Sequence, residues 1–316
     1  MPYCIQCGTR VPEAMYIYGG PYCSDCFRVR YFVCNQCHNS FPLTQRCTGG
    51  ICYDCQRAAE RWEPTPVNVA HPTYSVIGSK RAFGVEIETS ACHNYVTTKG
   101  KHCFGAKFDS SIRGMEFISP ILQGDQGLQS VVDFCNLAQQ MGWHINSDCG
   151  LHIHCDMRGE EVRGLQNVAY AYLLTHDFWR LMVNQYRAHD CHYCRNVDYN
   201  LSDLAFNGSR WRDFCWNRDR YGYCNLSAYA KFGSYEIRLH QGSLNGRAIT
   251  AWLRVHLRFI DAMAALHTMR DVRAVLGSTT TRQWQAFKQI INDNYLIRYY
   301  GRRRTNSLLR LEPSLT

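Results

Sequence analysis

The stretch DCGLHIHCDM, residues 148 to 157, combines residue types and spacing that can do chemistry: His152, His154 and Asp156 alternate with Leu151, Ile153 and Cys155. A period of two is that of a β-strand with unlike faces, so the imidazoles and the carboxylate project one way and the apolar residues the other. Three further segments repeat the design. In FGVEIET, Glu86 and Glu88 oppose Val85, Ile87 and Thr89; in GMEFISP, Glu116 opposes Met115 and Phe117. In SYEIRLHQ, Glu236, Arg238 and His240 oppose Tyr235, Ile237 and Leu239. One strand with a wet face is ordinary, but a merely solvated face is usually rich in Lys, Thr, Ser and Gln. These positions hold four Glu, three His, one Asp and one Arg, and no Lys. Carboxylates crowded this way repel one another unless a cation sits among them. Hard oxygen ligands select Mg²⁺ or Mn²⁺, the usual companions of nucleotide phosphates, and Arg238 among the acids would face the phosphate.

A second chemistry-bearing set lies at the N-terminus. Half of the 18 cysteines fall within the first 55 residues, and eight of them form C-x-x-C pairs. Cys4, Cys7, Cys23 and Cys26 make one set; Cys34, Cys37, Cys52 and Cys55 make another. The segment repeats itself, CIQCGTRVP with GGPYCSDC and then CNQCHNSFP with GGICYDC. Two such turns close a tetrahedral Zn²⁺ shell without an open position, so two structural zinc ions in tandem ribbons are expected. A cross-brace, with the pairs interleaved, would use the same eight ligands. So short a piece buries too little apolar surface to fold alone, and metal binding, roughly 10–16 kcal/mol in comparable peptides, would supply the difference. Cys47 and His38 are left over. A protein-docking or substrate-docking role is favoured for the ribbons over nucleic-acid binding, since no aromatic-basic interleaving of the single-strand type stands out.

These groups need a scaffold to position them. The chain of 316 residues, 46% hydrophobic, is long enough for a zinc-binding domain at 1–62, a linker at 63–80 rich in proline, and a main domain at 81–316. Within the last, helices are expected at roughly 125 to 142, 160 to 188, 246 to 270 and 281 to 293 between the four strands. That order predicts an α+β fold, a mostly antiparallel curved sheet with helices on one face. No apolar run is long enough to span a bilayer and the start has no leader pattern, so no membrane association and a cytoplasmic location are expected. The net charge of +9 suits nucleic acid or anionic small molecules alike. Its densest run, Arg302 to Arg304, is expected to be a solvated basic tail.

The ordered set FGVEIET, DSSI with GMEFISPIL, CGLHIH and YEIRLHQGSLN resembles the amidoligase family, a branch of the glutamine synthetase and glutamate-cysteine ligase fold, over about residues 81 to 265. Arg187, Tyr193, Cys194 and the NLSA segment at 225 to 228 look similar more loosely. The resemblance implies an ATP-dependent carboxylate-amine ligase that forms an amide bond through an acyl phosphate. Glu86, Glu88, Glu116 and Glu236 would then hold Mg²⁺ or Mn²⁺. His152 and His154 would contact ion or phosphate, and Arg238 the phosphate or acyl phosphate. Asp109 and Ser110 resemble a family Asp-x-Ser turn at the cofactor, and a plain turn is the other reading. No GxxxxGK[ST] or GxGxxG is present, so the nucleotide would be held by sheet-borne ions.

The substrates, small-molecule or peptide amine and carboxylate, are not named by any motif. Residues 189 to 224, with little periodicity, are the expected specificity insert. There Cys191, Cys194, Cys215 and Cys224, with His189 and His192, could hold a third zinc. Only one C-x-x-C is present, which favours reduced core thiols. Two other classes remain open: a metal-dependent hydrolase, because His-x-His on a strand is also a zinc-water arrangement, and a zinc-ribbon binding module whose ligase-like domain is inactive.

Overall fold

The computed structural model describes residues 3–7, 9–10, 15–17, 20–35, 40–47, 50, 52, 56, 62–65, 77–109, 112, 114–188, 191–206 and 210–311. Two compact units divide the chain, Met1–Trp62 and Glu63–Thr316. In the first, β1 (Met15–Ile17) pairs antiparallel with β2 (Gly20–Tyr22), α1 (Ser24–Arg30) follows, and β3 (Tyr31–Val33) pairs antiparallel with β4 (Ser40–Pro42). Each hairpin carries a very small core: Cys4, Tyr22 and Phe27 in one, Phe32, Cys34 and Cys52 in the other. The Cys26 N–H donates to Cys23 Sγ at 3.4 Å, which starts α1 on a knuckle turn.

The second unit is built on one antiparallel sheet in the order β6-β7-β5-β8-β10-β9. Its strands are β5 (Phe83–Thr89), β6 (Gly105–Asp109), β7 (Gly114–Ile118), β8 (Gly150–Asp156), β9 (Cys224–Asn225) and β10 (Ser234–Gln241). The helices are α2 (Gly124–Gln140), α3 (Val162–Leu174), α4 (His176–Arg180), α5 (Gln185–Ala188), α6 (Leu201–Phe206), α7 (Trp211–Trp216), α8 (Ser227–Phe232), α9 (Gly246–Ala264), α10 (Met269–Leu276), α11 (Thr280–Ile291) and α12 (Asn294–Leu311). The α+β class and the antiparallel sheet hold. The four sequence strands are β5, β7, β8 and β10; β6 and the two-residue β9 are additional.

Val85, Ile87, Phe117, Leu151, Ile153 and Ile237 are buried on the face away from the acids. Each such side chain contributes about 1.5–3 kcal/mol by leaving water. Helices cover this face: Phe134 of α2 lies 5.2 Å from the Phe117 ring, and Tyr235 Oη donates to the Leu165 carbonyl of α3 at 3.0 Å. Helix α9 begins at Asn245, whose side chain accepts from Ala248 N–H at 3.1 Å.

Several expectations are corrected. The single helix expected over 160 to 188 is three: the chain leaves the helical path at Thr175 (φ −104°, ψ 17°), whose hydroxyl donates back to the Ala171 carbonyl at 2.7 Å, and again between Arg180 and Gln185. The helix expected to reach 270 stops at Ala264, and Thr268 caps a new one, α10. Arg302 to Arg304 belong to α12 instead of a solvated tail: Arg303 donates to the Met182 carbonyl at 3.4 Å and lies 4.9 Å over Tyr299. The insert holds short helices, α6 and α7. Both described ends of the segment expected as a linker are held by the second unit: Thr65 N–H donates to Cys103 O at 2.8 Å and Ile77 N–H to Asp125 Oδ1 at 3.1 Å. Among the described residues no helix is long and apolar enough to cross a membrane.

The largest correction is on β10. The pairing of β10 with β8 runs Ile237 to Ile153 and then His240 to Leu151, three steps against two. This β-bulge reverses the alternation beyond it. Arg238 stays on the acid face, whereas His240, expected beside it, turns to the core, 1% exposed and 5.1 Å from the Trp252 ring of α9. Burial drives its pKa down to about 3, and its Nδ1–H donates to the Gln241 carbonyl at 2.7 Å.

Candidate active site

Cross-strand register brings together residues far apart in the chain. Lys107 of β6 pairs with Glu116 of β7, which pairs with Glu88 of β5. Glu86 pairs with His152, and His154 pairs with Glu236, which pairs with Asn225 of β9. Paired residues share a face of a sheet, so these side chains form one continuous polar surface. It floors a cavity of about 480 Å³ walled by insert residues that include Tyr193, Arg220 and Tyr221.

The contacts are close and shared. His152 Nδ1 lies 3.3 Å from Glu86 Oε2 and 3.5 Å from Glu236 Oε1, and its Nε2 lies 3.6 Å from Glu88 Oε1. His154 Nε2 is 3.3 Å from Glu86 Oε1 and its Nδ1 2.9 Å from Ser234 Oγ. Gly150 N–H donates to Glu88 Oε2 at 2.5 Å. A Cβ on Gly150 would come within 3.0 Å of both Arg187 and His152, so the absence of a side chain there lets three site groups converge. Arg238 pairs with Glu236 and donates from Nε to the Tyr193 carbonyl at 3.1 Å. Lys107 Nζ lies 2.5 Å from Glu116 Oε2.

Three sets of potential ligand atoms each fall within 4.8 Å of one another: Glu86, Glu116 and His152; Glu86, His154 and Glu236; Glu88, Asp109 and Glu116. They overlap at Glu86 and Glu116, so the acids form a track with room for more than one divalent ion. The donor set is oxygen-rich with imidazole at one side, which suits Mg²⁺ or Mn²⁺.

Glu88, Glu116 and Glu236 are 6%, 3% and 5% exposed. Burial alone would push such carboxyls up. At Glu86 burial does so, but hydrogen bonds from His152 and His154 outweigh it and hold the carboxyl well below its usual range. Glu236 is likewise lowered, burial being overcome by Arg238, His154 and His152. His154 is raised: burial lowers it, and the Glu86 hydrogen bond with the Glu236 and Glu86 charges more than reverses that. The site therefore favours charged groups of both signs held together out of water.

All eight residues expected at the ligase-like site, Glu86, Glu88, Asp109, Glu116, His152, His154, Glu236 and Arg238, line this one cavity. Ser110, expected beside Asp109, lies outside the described residues. Asp156 does not join them; at the end of β8 it pairs with Arg158 at 2.8 Å. Arg187, noted loosely, is 3% exposed in the cavity wall and donates to the Arg238 carbonyl at 2.7 Å. Sequence reasoning missed Lys107 and Ser234. Period two would have found both, since Lys107 precedes Asp109, and Ser234 precedes Glu236, by two residues.

In the first unit the sulfurs of Cys4, Cys7, Cys23 and Cys26 all lie within 4.8 Å of one another and could hold a metal ion. Against burial, backbone N–H groups of Cys23, Cys7 and Gln6 hold the Cys4 thiol down to about 6. The neighbouring sulfurs of Cys23 and Cys7 push Cys26 up to about 12. Four thiolates cannot ionise together unaided, and a soft divalent cation such as Zn²⁺ resolves that conflict. The pairs that converge are the first and second in sequence, not interleaved. Of the second set, Cys34 and Cys52 are buried neighbours, with Cys52 N–H donating to Cys34 Sγ at 3.2 Å. Cys37 and Cys55 lie outside the described residues, as do His38 and His189. Cys194, Cys215 and Cys224 are buried thiols, and no third metal set forms from them among the described residues.

A family model described as "Putative amidoligase enzyme" matches residues 90–260, a span that holds Glu116, both histidines, Glu236 and Arg238 and begins just after Glu88. A solved structure described as "Crystal structure of novel glutamine synthase homolog" is similar at 13% identity and a TM-score of 0.33, over 86% of this chain and 75% of that one. Among curated proteins, none matches.

Proposed function

The chain belongs to the amidoligase family, and on that premise we propose that it joins a carboxylate to an amine at the expense of ATP, through an acyl phosphate. The observation that carries this reading is the register: four glutamates, two histidines and an arginine from four strands meet on one face over three overlapping ligand sets. A hydrolytic zinc needs fewer carboxylates.

Bound at the acid track, Mg²⁺ or Mn²⁺ would neutralise phosphate oxygens and polarise the transferred phosphoryl group. Glu86, Glu88, Glu116 and Glu236 are the proposed oxygen ligands, with Asp109 beside Glu88 and Glu116. His152, set between Glu86 and Glu88, and His154, set between Glu86 and Ser234, are the proposed imidazole contacts to the ion or the phosphate oxygens. Arg238 is fixed by Glu236 and the Tyr193 carbonyl, so its guanidinium meets developing charge without having to be ordered first. The substrate carboxylate attacks the γ-phosphorus and ADP leaves; the amine nitrogen then attacks the acyl carbon, phosphate leaves, and the nitrogen gives up a proton. In the first unit, Cys4, Cys7, Cys23 and Cys26 are proposed to hold one structural Zn²⁺ and Cys34, Cys37, Cys52 and Cys55 a second. A protein-docking role for that unit is the reading we favour, in a protein of the cytoplasm.

The test is ATP turnover with Mg²⁺ and pooled carboxylates and amines, beside a Glu86→Gln, Glu88→Gln double variant. Amine-stimulated phosphate release that vanishes in the variant is expected. A folded, zinc-loaded protein that binds no nucleotide would overturn the ligase reading.

A further inference from the structure

The C-x-x-C at Cys191 and Cys194 is unlike the N-terminal knuckles. It spans a single 3₁₀ turn, His192–Cys194, with Cys191 just before it. Cys194 is fully buried, and Cys191 is partly exposed on a separate cavity of about 660 Å³. Arg180, Arg195 and His192 line that cavity, and Asp177 is its one acid among the described residues. One guanidinium nitrogen of Arg187 donates to Cys191 Sγ at 3.3 Å, while another donates to the Arg238 carbonyl at 2.7 Å. Cys194 Sγ in turn donates to the Arg187 carbonyl at 3.4 Å. A partly exposed sulfur against a fixed cation, with a second thiol three residues on, is the environment of a reactive cysteine and its resolving partner.

We propose that Cys191 and Cys194 form a peroxide-oxidised dithiol whose state is relayed by Arg187 to the acid and imidazole cavity. The Cys191 thiolate attacks a peroxide oxygen; an S–O bond forms, the O–O bond breaks, and the departing hydroxide takes a proton to become water. Cys194 sulfur then attacks Cys191 sulfur, the S–O bond breaks, and the oxygen leaves with the Cys194 proton as a second water. Two thiols are oxidised by two electrons and one peroxide is reduced. The disulfide carries no charge, so Arg187 loses its sulfur partner while still lining the active-site cavity beside Arg238. The electrostatics agree with the geometry: the Cys194 hydrogen bond outweighs burial and, with the Arg187 charge, holds Cys191 down to about 5, and the same pairing drives Cys194 up.

The thiol chemistry is independent of the ligase reading, so its test needs no turnover. On the full-length, zinc-loaded protein at pH 6, a thiolate at that value gains in ionised fraction and loses part of it in nucleophilicity. Cys191 is therefore expected to alkylate roughly tenfold faster than free cysteine. Arg187→Met is expected to reduce that advantage. Stoichiometric hydrogen peroxide should give a Cys191–Cys194 disulfide in peptide mass mapping, and Cys194→Ser should leave a sulfenic acid at Cys191 that dimedone traps. Oxidation should raise hydrogen exchange at Arg238 to Gln241. Alkylation no faster than free cysteine, or zinc lost from the Cys191→Ser, Cys194→Ser variant, would overturn the dithiol. Unchanged exchange on oxidation would overturn the relay.

Discussion

The two units solve the problem of holding charged ligand groups together in opposite ways. Around Cys4 to Cys26 the surrounding core is three buried residues, so the ligands and the fold depend on one another. Around Glu86 to Glu236 the sheet is held by an apolar face beneath it, and the acids are positioned by backbone register whatever occupies them. On the proposed reading, the first is a site that makes a structure and the second a structure that makes a site.

The sharpest way to break that contrast is metal removal. A strong chelator should abolish ordered structure in residues 1–62, an effect on the order of 10 kcal/mol. The main thermal transition of the second unit should stay in place, as followed by calorimetry and limited proteolysis; a transition that moves as far would erase the distinction. Next in size, the Glu86→Gln, Glu88→Gln variant should lose at least about a hundredfold in turnover and keep its circular dichroism, because amides preserve shape and relieve repulsion. Gly150→Ala should sharpen the case for register. A methyl group at 3.0 Å from Arg187 and His152 should cost about 1–3 kcal/mol of stability, measured by urea unfolding, and lower divalent-ion affinity.

The smallest effect is in pH. Glu86 is lowered in the fold, so its contribution to stability is present above the unfolded carboxylate value and is lost as pH falls through the folded one. His154 is raised, so its contribution is present below the unfolded imidazole value and is lost as pH rises through the folded one. The metal-free second unit should therefore melt highest between those limits. Melting temperatures that climb steadily into the alkaline range would show that the Glu86–His154 pair contributes nothing.

Much of this site was legible because strand alternation is a local rule: Glu86, Glu88, Glu116, His152, His154 and Glu236 could be assigned to one face without knowing their partners. Register, by contrast, is a long-range property, so nothing local set Glu88 opposite Glu116 or Lys107 opposite that. His240 was misjudged because the bulge after Ile237 is invisible in a pattern that continues to alternate. The break of the helix at Thr175, where the hydroxyl bonds back to the Ala171 carbonyl, leaves no mark in the apolar spacing on either side of it. The insert hid its short helices because none is long enough to show a period.

The bulge in β10 also acts as a parity switch. Before it, even-numbered side chains look toward the acids; after it the sense inverts, which brings Gln241 rather than His240 to the side of the turn preceding α5. There the Gln241 amide oxygen accepts from Asn184 N–H at 3.2 Å, anchoring the segment that carries Arg187. Had the two strands paired without the bulge, Leu239 would stand opposite Leu151 and His240 opposite Gly150. A proton-binding ring would then replace a neutral amide at that anchor, and the wall of the cavity would acquire a pH dependence that one extra residue now keeps out.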